Sequence, residues 1–367
     1  MIGSKTQQWP GQSLAEGAAG IALLYMERGD FDGARALIDR AVAGGVSVAA
    51  NASLFYGAPA LEFVLSAATA HGLPVPALSA VQAATDRIVA ARLEAAVVRR
   101  SRGELPNLSE FDLIRGLAGC GALLLHRGQE PPQLAAVLSY LVDLTHPIRD
   151  DGEELPGWWV PTGPNGKPSE EFPGGHGNNG MAHGVAGPLA VLALAMRAGV
   201  EVPGHREAIE RITAWLAVWQ RPYWVTREQI RTRQVSAVPA RPSWCYGALG
   251  LARAEQLAAL ALGDRSAAAA AENAAYAALT DPGVRDLTGD GSLCHGWAGL
   301  ITTAAAIAED CPGPAYLAGP IALLATELSA AEVAKDGFLE GSAGGALALH
   351  RLNNAPATGW TRALLID

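Results

Sequence analysis

Two neighbouring residues, Cys294 and His295, are types that bind transition metals through sulfur and nitrogen. They stand directly before a Gly-x-x-Gly step at residues 296–299. Another cysteine, Cys245, precedes a step of the same kind by the same distance as Cys294 precedes its own. Two thiolates and one imidazole suit zinc, and three protein ligands leave a fourth position open, as in catalytic zinc sites. We therefore predict one zinc ion per chain, held by Cys245, Cys294 and His295.

The Gly-x-x-Gly step recurs along nearly the whole chain. Its first glycine occurs at positions 17, 57, 116, 184, 247, 296 and 341, and we number these the first to seventh glycine turns. In the second copy Ala60 replaces the second glycine. His183 stands one residue before its reference glycine, as His295 does. Equivalent positions in a repeat should lie at one rim of the fold, which would bring these thiols and imidazoles together.

The residues between the turns indicate pairs of helices. Each step leads into an apolar run, typical of a helix buried on most sides, and amphipathic stretches such as 81–89 and 206–212 follow. The spacing of the turns leaves room for two helices per repeat. We expect an all-α protein, an α/α toroid of seven inner and seven outer helices, forming a single domain over residues 1–367.

The composition of the chain excludes several classes of function. The 367 residues carry a formal charge of -9 without a basic block, which argues against a nucleic-acid partner. No apolar run reaches the roughly 20 residues that span a bilayer, and the N-terminus lacks the layout of a signal peptide, so we predict a cytoplasmic protein without an integral membrane segment. The four cysteines are therefore expected to be metal-binding, reactive or buried thiols rather than a disulfide framework.

Three motifs resemble those of the lanthionine cyclases, the LanC-like family. They are Ser-Trp-Cys-Tyr-Gly at 243–247, Cys-His-Gly at 294–296 and Asn-Gly-Met-Ala-His-Gly at 179–184. With the seven glycine turns, the resemblance covers essentially the whole chain. It implies a zinc enzyme that adds cysteine thiols of a dehydrated precursor peptide to dehydroalanine or dehydrobutyrine, which closes thioether rings. A separate dehydratase and export machinery would be further partners.

The resemblance also implies roles beside the metal. His183 matches the family's acid, Asp112 its catalytic aspartate, and Arg241 an arginine suited to an enolate oxygen. The residue types alone leave other roles open, namely capping or packing for His183, an N-cap for Asp112 and a solvent-exposed loop charge for Arg241. Tyr246 is either a second donor near the metal or an aromatic packing residue.

Residues 145–180 and 220–242 interrupt the repeat and are expected to be long loops, either functional or plain surface excursions. Trp158 and Trp159 in the first loop are candidates for binding the precursor. The second loop adds a set of arginines with the same potential role, Arg221, Arg227, Arg231, Arg233 and Arg241.

Three other metal-binding residue types are expected to lie outside the site. His176 is predicted to be an exposed loop residue, Cys120 a core residue, and Cys311 a residue without a role in the chemistry.

Two other functions fit the same residues. One is an enzyme on this scaffold that adds glutathione or another thiol to dehydroamino acids. The other is a non-catalytic peptide-binding module in which the zinc is structural.

Overall fold

The computed structural model describes residues 10–128, 131–219, 223–235, 241–313 and 315–367. Arg221 therefore lies outside the described residues. In chain order the α-helices are α1 (Ala18–Glu27), α2 (Phe31–Val42), α3 (Ala58–Ala70), α4 (Leu78–Ser101), α5 (Leu108–Phe111), α6 (Leu117–Arg127), α7 (Pro132–Leu144), α8 (Ala186–Arg197), α9 (His205–Trp219), α10 (Arg227–Thr232), α11 (Ala248–Leu262), α12 (Arg265–Thr280), α13 (Pro282–Arg285), α14 (Trp297–Asp310), α15 (Ala315–Ala330) and α16 (Ser342–Arg351). Short strands form two antiparallel pairs, β1 (Ile148–Asp150) with β2 (Glu153–Leu155) and β3 (His176–Asn178) with β4 (Trp224–Thr226).

Seven helices form a closed inner ring. In the order α1, α3, α6, α8, α11, α14 and α16, each helix contacts the next, and α16 contacts α1. Each of them begins within two residues of the first glycine of a repeat. Helices α2, α4, α7, α9, α12 and α15 pack outside their preceding inner helices. The predicted all-α toroid is confirmed, with six long outer helices in the described part of the chain.

The chain that follows α16 turns into the barrel instead of adding another described outer helix. Trp360, Leu364 and Ile366 are almost completely buried, and the 3₁₀ turn Trp360–Leu364 packs against α6. The Trp244 indole donates a hydrogen bond to the Leu364 carbonyl at 2.9 Å, and Arg253 donates to the Ile366 carbonyl at 2.9 Å. This segment, residues 359–367, therefore supports the fifth glycine turn from inside. None of the helices in the described ranges is long and apolar enough to cross a membrane.

The second glycine of the repeat is required by close approach of the backbone. A Cβ at Gly250 would lie 2.0 Å from the Trp244 carbonyl oxygen, and one at Gly344 would lie 2.0 Å from that of Phe338. In both turns the obstructing carbonyl belongs to the residue six places earlier, so a side chain there would force the turn open.

Backbone hydrogen bonds join most neighbouring glycine turns into a ring at one rim. The bonds that tie one turn to the next are Leu14 N to Phe55 O (3.0 Å), Leu113 N to Ala182 O (3.2 Å), Met181 N to Cys245 O (2.9 Å), Cys245 N to Cys294 O (3.1 Å), Cys294 N to Leu339 O (3.0 Å) and Leu339 N to Ala15 O (2.8 Å). The last of these closes the ring between the seventh turn and the first.

The ring has one gap, between the second and third turns, where the described residues form no such backbone bond. The second turn carries Ala60, and its Gly57 has a positive φ of 71°, unlike the glycine that precedes each other inner helix. The Arg92 guanidinium spans this gap. It donates to the carbonyls of Ala50 and Ala52 at 3.2 and 2.8 Å and, on the other side, to those of Ser109 and Arg115 at 3.3 and 2.5 Å.

The described parts of the two segments that interrupt the repeat contain more regular structure than the predicted long loops. Strand β3 lies in the first segment and β4 in the second, so their pairing joins the two segments to each other. Helix α10 follows β4 and begins with a capping box at Thr226.

Candidate active site

The predicted metal ligands lie together on the rim. The ligand atoms of Cys245, Cys294 and His295 are all within 4.8 Å of one another. The backbone bond from Cys245 N to Cys294 O explains this, because it aligns the fifth and sixth turns so that equivalent side chains become neighbours. Cys245 is 9% exposed and the His295 side chain 33% exposed, so the cluster is reached from the rim.

The electrostatics of the two thiols fit a bound cation. A hydrogen bond from Cys294, together with His295, lowers the pKa of Cys245 to about 5. The neighbouring Cys245 in turn raises the pKa of Cys294 far above its ordinary value. Two sulfurs this close do not both ionise unless a cation neutralises them. A divalent metal that prefers sulfur and nitrogen would do so, and the donor set fits zinc.

Asp290 is a residue of the site that the sequence reasoning missed. Its carboxylate lies 2.9 Å from His295 Nε2, which leaves the other ring nitrogen for a metal. Asp290 stands six residues before Gly296, and Asn178 stands six residues before Gly184. Asn178 also belongs to the site, because its amide donates a hydrogen bond to the Tyr246 hydroxyl. Alignment of the repeats on their reference glycines would therefore have pointed to both residues.

His183 and Asp112 form a second constellation on the same rim. His183 Nδ1 lies 2.7 Å from Asp112 Oδ2, and the other Asp112 oxygen accepts the Arg115 backbone N–H at 2.6 Å. Asp112 is 1% exposed, whereas the His183 side chain is 33% exposed. The residue that caps α6 is Gly116, so the carboxylate orients the imidazole rather than acting as the N-cap of that helix.

Tyr246 packs beside this pair. Its ring is stacked on that of His183, with centroids 6.2 Å apart, and its hydroxyl accepts a hydrogen bond from the Asn178 amide at 2.9 Å. Burial raises its pKa above the ordinary value, so the phenol stays protonated at neutral pH. A neutral phenol at this place is a hydrogen-bond donor as well as a packing surface.

Arg241 is exposed at the edge of the site. Its backbone N–H donates to the Tyr223 hydroxyl at 2.5 Å. The pKa of His295 is raised chiefly by its hydrogen bond with Cys245, and the positive charge of Arg241 opposes that rise. The guanidinium therefore lies close enough to His295 of the Cys-Cys-His cluster to act on it electrostatically.

The predicted peptide-binding residues of the two loops are mostly structural. Trp158 is 2% exposed and Trp159 is fully buried, so both rings pack in the core and offer a peptide almost no surface. Arg227 is 5% exposed and forms ion pairs with Asp150 and Glu153, so it holds the two segments together.

Arg231 also pairs with Glu153. Arg233 is exposed and has a positive φ of 54°. Arg227 and Arg231 therefore hold β4 and α10 against the β1–β2 hairpin.

The prediction that His176 is an exposed loop residue is wrong. His176 is fully buried in β3, its Nδ1 lies 2.7 Å from the Thr162 carbonyl, and burial lowers its pKa to about 4. Sequence alone did not reveal the β3–β4 pairing that buries it. Cys120 is buried as predicted, and burial raises its pKa to about 11. Cys311 lies at the end of α14, where its sulfur contacts Glu272 at 3.0 Å.

Comparisons with known proteins found a matching family model and a similar solved structure. The model of the family described as lanthionine synthetase C-like protein matches residues 8–365. Among solved structures, nisin cyclase is similar, with a TM-score of 0.83 and 20% sequence identity, over 99% of this chain and 94% of that one. At this identity the structural match shows a shared fold. No curated protein matches the sequence.

Proposed function

Because this chain belongs to the lanthionine synthetase C-like family, we propose that it closes thioether rings in a dehydrated precursor peptide. In this reaction the S–H of a peptide cysteine adds across the double bond of dehydroalanine or dehydrobutyrine. Sulfur bonds to the β-carbon and the α-carbon gains a proton, so nothing leaves. The observation that carries the proposal is the placement of the Cys-Cys-His cluster beside the His183–Asp112 pair on one rim.

Cys245, Cys294 and His295 would hold the zinc, with Asp290 fixing the imidazole of His295. The chemistry that zinc would supply at this position is a lowered pKa of the substrate thiol, from about 8.5, so that thiolate is present at neutral pH. The half-exposed rim lets a peptide reach this position, whereas the buried Trp244 and the segment at 359–367 close it from below.

His183 is proposed to move the proton. Its Nδ1 is engaged by Asp112, so the ring nitrogen available to substrate is Nε2. Asp112 would hold this orientation and stabilise the ring when it is protonated. His183 would then donate the proton that the α-carbon requires after sulfur has added.

Two further groups would stabilise the developing enolate. The neutral phenol of Tyr246 is stacked on the acid, and the Arg241 guanidinium lies at the edge of the site. Both are hydrogen-bond donors, and donors placed at the carbonyl oxygen lower the energy of the enolate. Dehydration of the precursor and export of the product would be tasks of separate proteins, with residues 1–367 acting as one catalytic domain.

A synthetic peptide with one cysteine and one dehydroalanine tests this function. Cyclisation leaves the mass unchanged, so the product is recognised by its failure to react with a thiol-alkylating reagent, measured by mass spectrometry. The protein should accelerate loss of the alkylatable thiol over a protein-free control, and the His183→Asn variant should do so far more slowly than wild type.

Two other outcomes would replace the proposal. A peptide that gains the mass of glutathione, supplied at equal concentration, would identify the alternative enzyme that uses a free thiol. Binding of the peptide without either reaction would identify a peptide-binding module.

A further inference from the structure

The rim carries a second feature that the proposed chemistry does not use. A cleft of about 790 Å³ opens between the first three glycine turns. Its lining includes Glu16, Tyr56 and Arg115, each of which stands one residue before its reference glycine. These positions are equivalent to those of His183, Tyr246 and His295, so cleft and chemistry share one rim. A cleft of this volume is in the usual range for ligand sites.

The free charge in this cleft is positive, although the chain as a whole is acidic. The Arg115 guanidinium is exposed and forms no ion pair or hydrogen bond within the described ranges. Arg92 beneath it is bonded only to backbone carbonyls, so its charge also lacks a carboxylate partner there. Of the two carboxylates of the lining, Glu110 is paired with Arg99 at 2.8 Å, and the exposed Glu16 lies 3.4 Å from Lys335, an ammonium that also pairs with Glu340.

The cleft also offers neutral hydrogen-bonding groups and a fixed floor. Asn51 and Asn107 are exposed in its wall, and their amides can pair with an extended peptide backbone. The four carbonyl bonds of Arg92 hold the second and third turns at a set separation, so little ordering is needed when a ligand binds. A preformed cleft with a free guanidinium favours a ligand that carries a carboxylate.

The cleft adjoins the acid–base pair directly. The Arg115 backbone N–H donates to the same Asp112 carboxylate that orients His183. A carboxylate bound by Arg115 would therefore be held by a residue only three positions after Asp112 of the proposed catalytic pair.

We propose that this cleft is a specificity subsite that binds an acidic side chain of the precursor peptide through Arg115, next to the segment undergoing cyclisation. The inference rests on the proposed function for the identity of its ligand. Arg115 would then discriminate between peptide sequences. The Cys-Cys-His cluster cannot do this, because it recognises only sulfur.

Charge-matched peptides test the subsite independently of catalysis. The probes are two fluorescein-labelled, C-terminally amidated peptides that differ by one Glu or Gln and carry serine in place of cysteine, so they cannot react. Anisotropy titration of the wild-type protein should show the Glu peptide binding roughly threefold to tenfold more tightly, the usual range for a partly exposed charged pair. Arg115→Ala should remove this preference, and Arg115→Glu should reverse it towards a third peptide that carries Lys.

Arg102→Ala is the matched control, because Arg102 is an exposed arginine at the end of α4 that does not line the cleft. The proposal is overturned if wild-type protein does not distinguish Glu from Gln, if both Arg115 variants keep the preference, or if Arg102→Ala abolishes it equally. Because the probes are inert, selective binding without any cyclisation of a cysteine peptide would refute the proposed function and leave the subsite standing. Cyclisation without charge selection would do the reverse.

Discussion

The fourth to sixth glycine turns and the first to third follow the same sequence step, yet the second set contains the junction where the described residues form no main-chain bond. We call them the chemical half and the cleft half of the rim. In the chemical half, main-chain bonds such as that from Cys245 N to Cys294 O join each turn to the next. In the cleft half, the second and third turns are joined by the side chain of Arg92. A main-chain link brings side chains together, whereas a side-chain link leaves a space between the turns.

The largest expected effect is on the zinc that we propose to bind in the chemical half. Cys294→Ser should remove most of the bound zinc and reduce the cyclisation rate by about 10³-fold, since a metal that stabilises a thiolate contributes several kcal/mol. Elemental analysis and the alkylation assay measure the two quantities. Cys311→Ser, which changes a cysteine outside the site, should keep one equivalent of zinc. Full zinc occupancy in Cys294→Ser would remove this residue from the ligand set.

Loss of the acid should separate metal binding from chemistry. His183→Asn is expected to keep zinc but to lower the cyclisation rate by about 10²-fold, the usual contribution of a positioned acid. Asp112→Asn should lower it by roughly tenfold, because the imidazole remains but is held less well. His146→Asn is the control, since the exposed His146 lies beside Asp143 just after α7 and is not one of the proposed site residues. Equal rates in wild type and His183→Asn would contradict the assigned role.

A change in the cleft half should affect stability and not metal binding. Arg92→Met leaves the carbonyls of Ala50, Ala52, Ser109 and Arg115 without their shared donor. We expect the free energy of unfolding to fall by about 3 kcal/mol, measured by urea denaturation, because several bonds to a charged group are lost. Zinc stoichiometry should stay at the wild-type value, and Arg102→Met should change neither. Loss of zinc in Arg92→Met would show that the two halves are not independent.

Lowering the pH should reduce the free energy of unfolding through His176, which lies in β3 just before the fourth glycine turn. Burial holds the pKa of His176 at about 4, against an ordinary 6.5. Below pH 6.5 the unfolded chain therefore binds a proton that the folded chain refuses, so stability falls as pH drops from about 6.5 to about 4 and changes no further from this source below that. Between pH 6.5 and pH 5 the loss should be about 2 kcal/mol for this residue.

The His176→Asn variant keeps a donor for the Thr162 carbonyl but cannot titrate in this range. Its stability should depend less steeply on pH, as measured by denaturation at both pH values. Some slope should remain, because burial also lowers the pKa of His126 to about 4. Identical slopes in variant and wild type would show that His176 is protonated without cost.

The inner ring and the clustering of Cys245, Cys294 and His295 could be predicted from the sequence because both follow from one local pattern. The second glycine meets a carbonyl six residues earlier, as Gly250 meets that of Trp244, so the turn geometry is written into a short stretch. Once the turns are equivalent, Cys245 and Cys294 must be neighbours. The placement of Asp112 against His183 needed the resemblance to the family, because no repeat position links the two residues.

The remaining features depend on contacts between distant segments. Trp158, Trp159 and His176 looked like loop residues, yet all three are buried. His176 lies in β3, which pairs with β4 almost fifty residues away, and Trp158 packs edge-on against Trp215 of α9. Arg92 lies within a long outer helix, and nothing in its local sequence indicates that it joins two turns. Tertiary pairing of this kind leaves no periodic signal.

The closure of the ring between its seventh and first turns has a consequence for how the protein folds. Leu339 N donates to Ala15 O at 2.8 Å, a contact between residues 324 positions apart, and Cys294 N is bonded to the same Leu339. Contacts of such long sequence separation form late, because the intervening chain must first be ordered. During synthesis the sixth turn therefore emerges before Leu339, the residue that fixes its backbone. Until then the fifth turn is the one neighbouring turn that Cys294 can pair with. The competence to hold a metal should consequently arise in a single late step, at ring closure, rather than accumulate helix by helix.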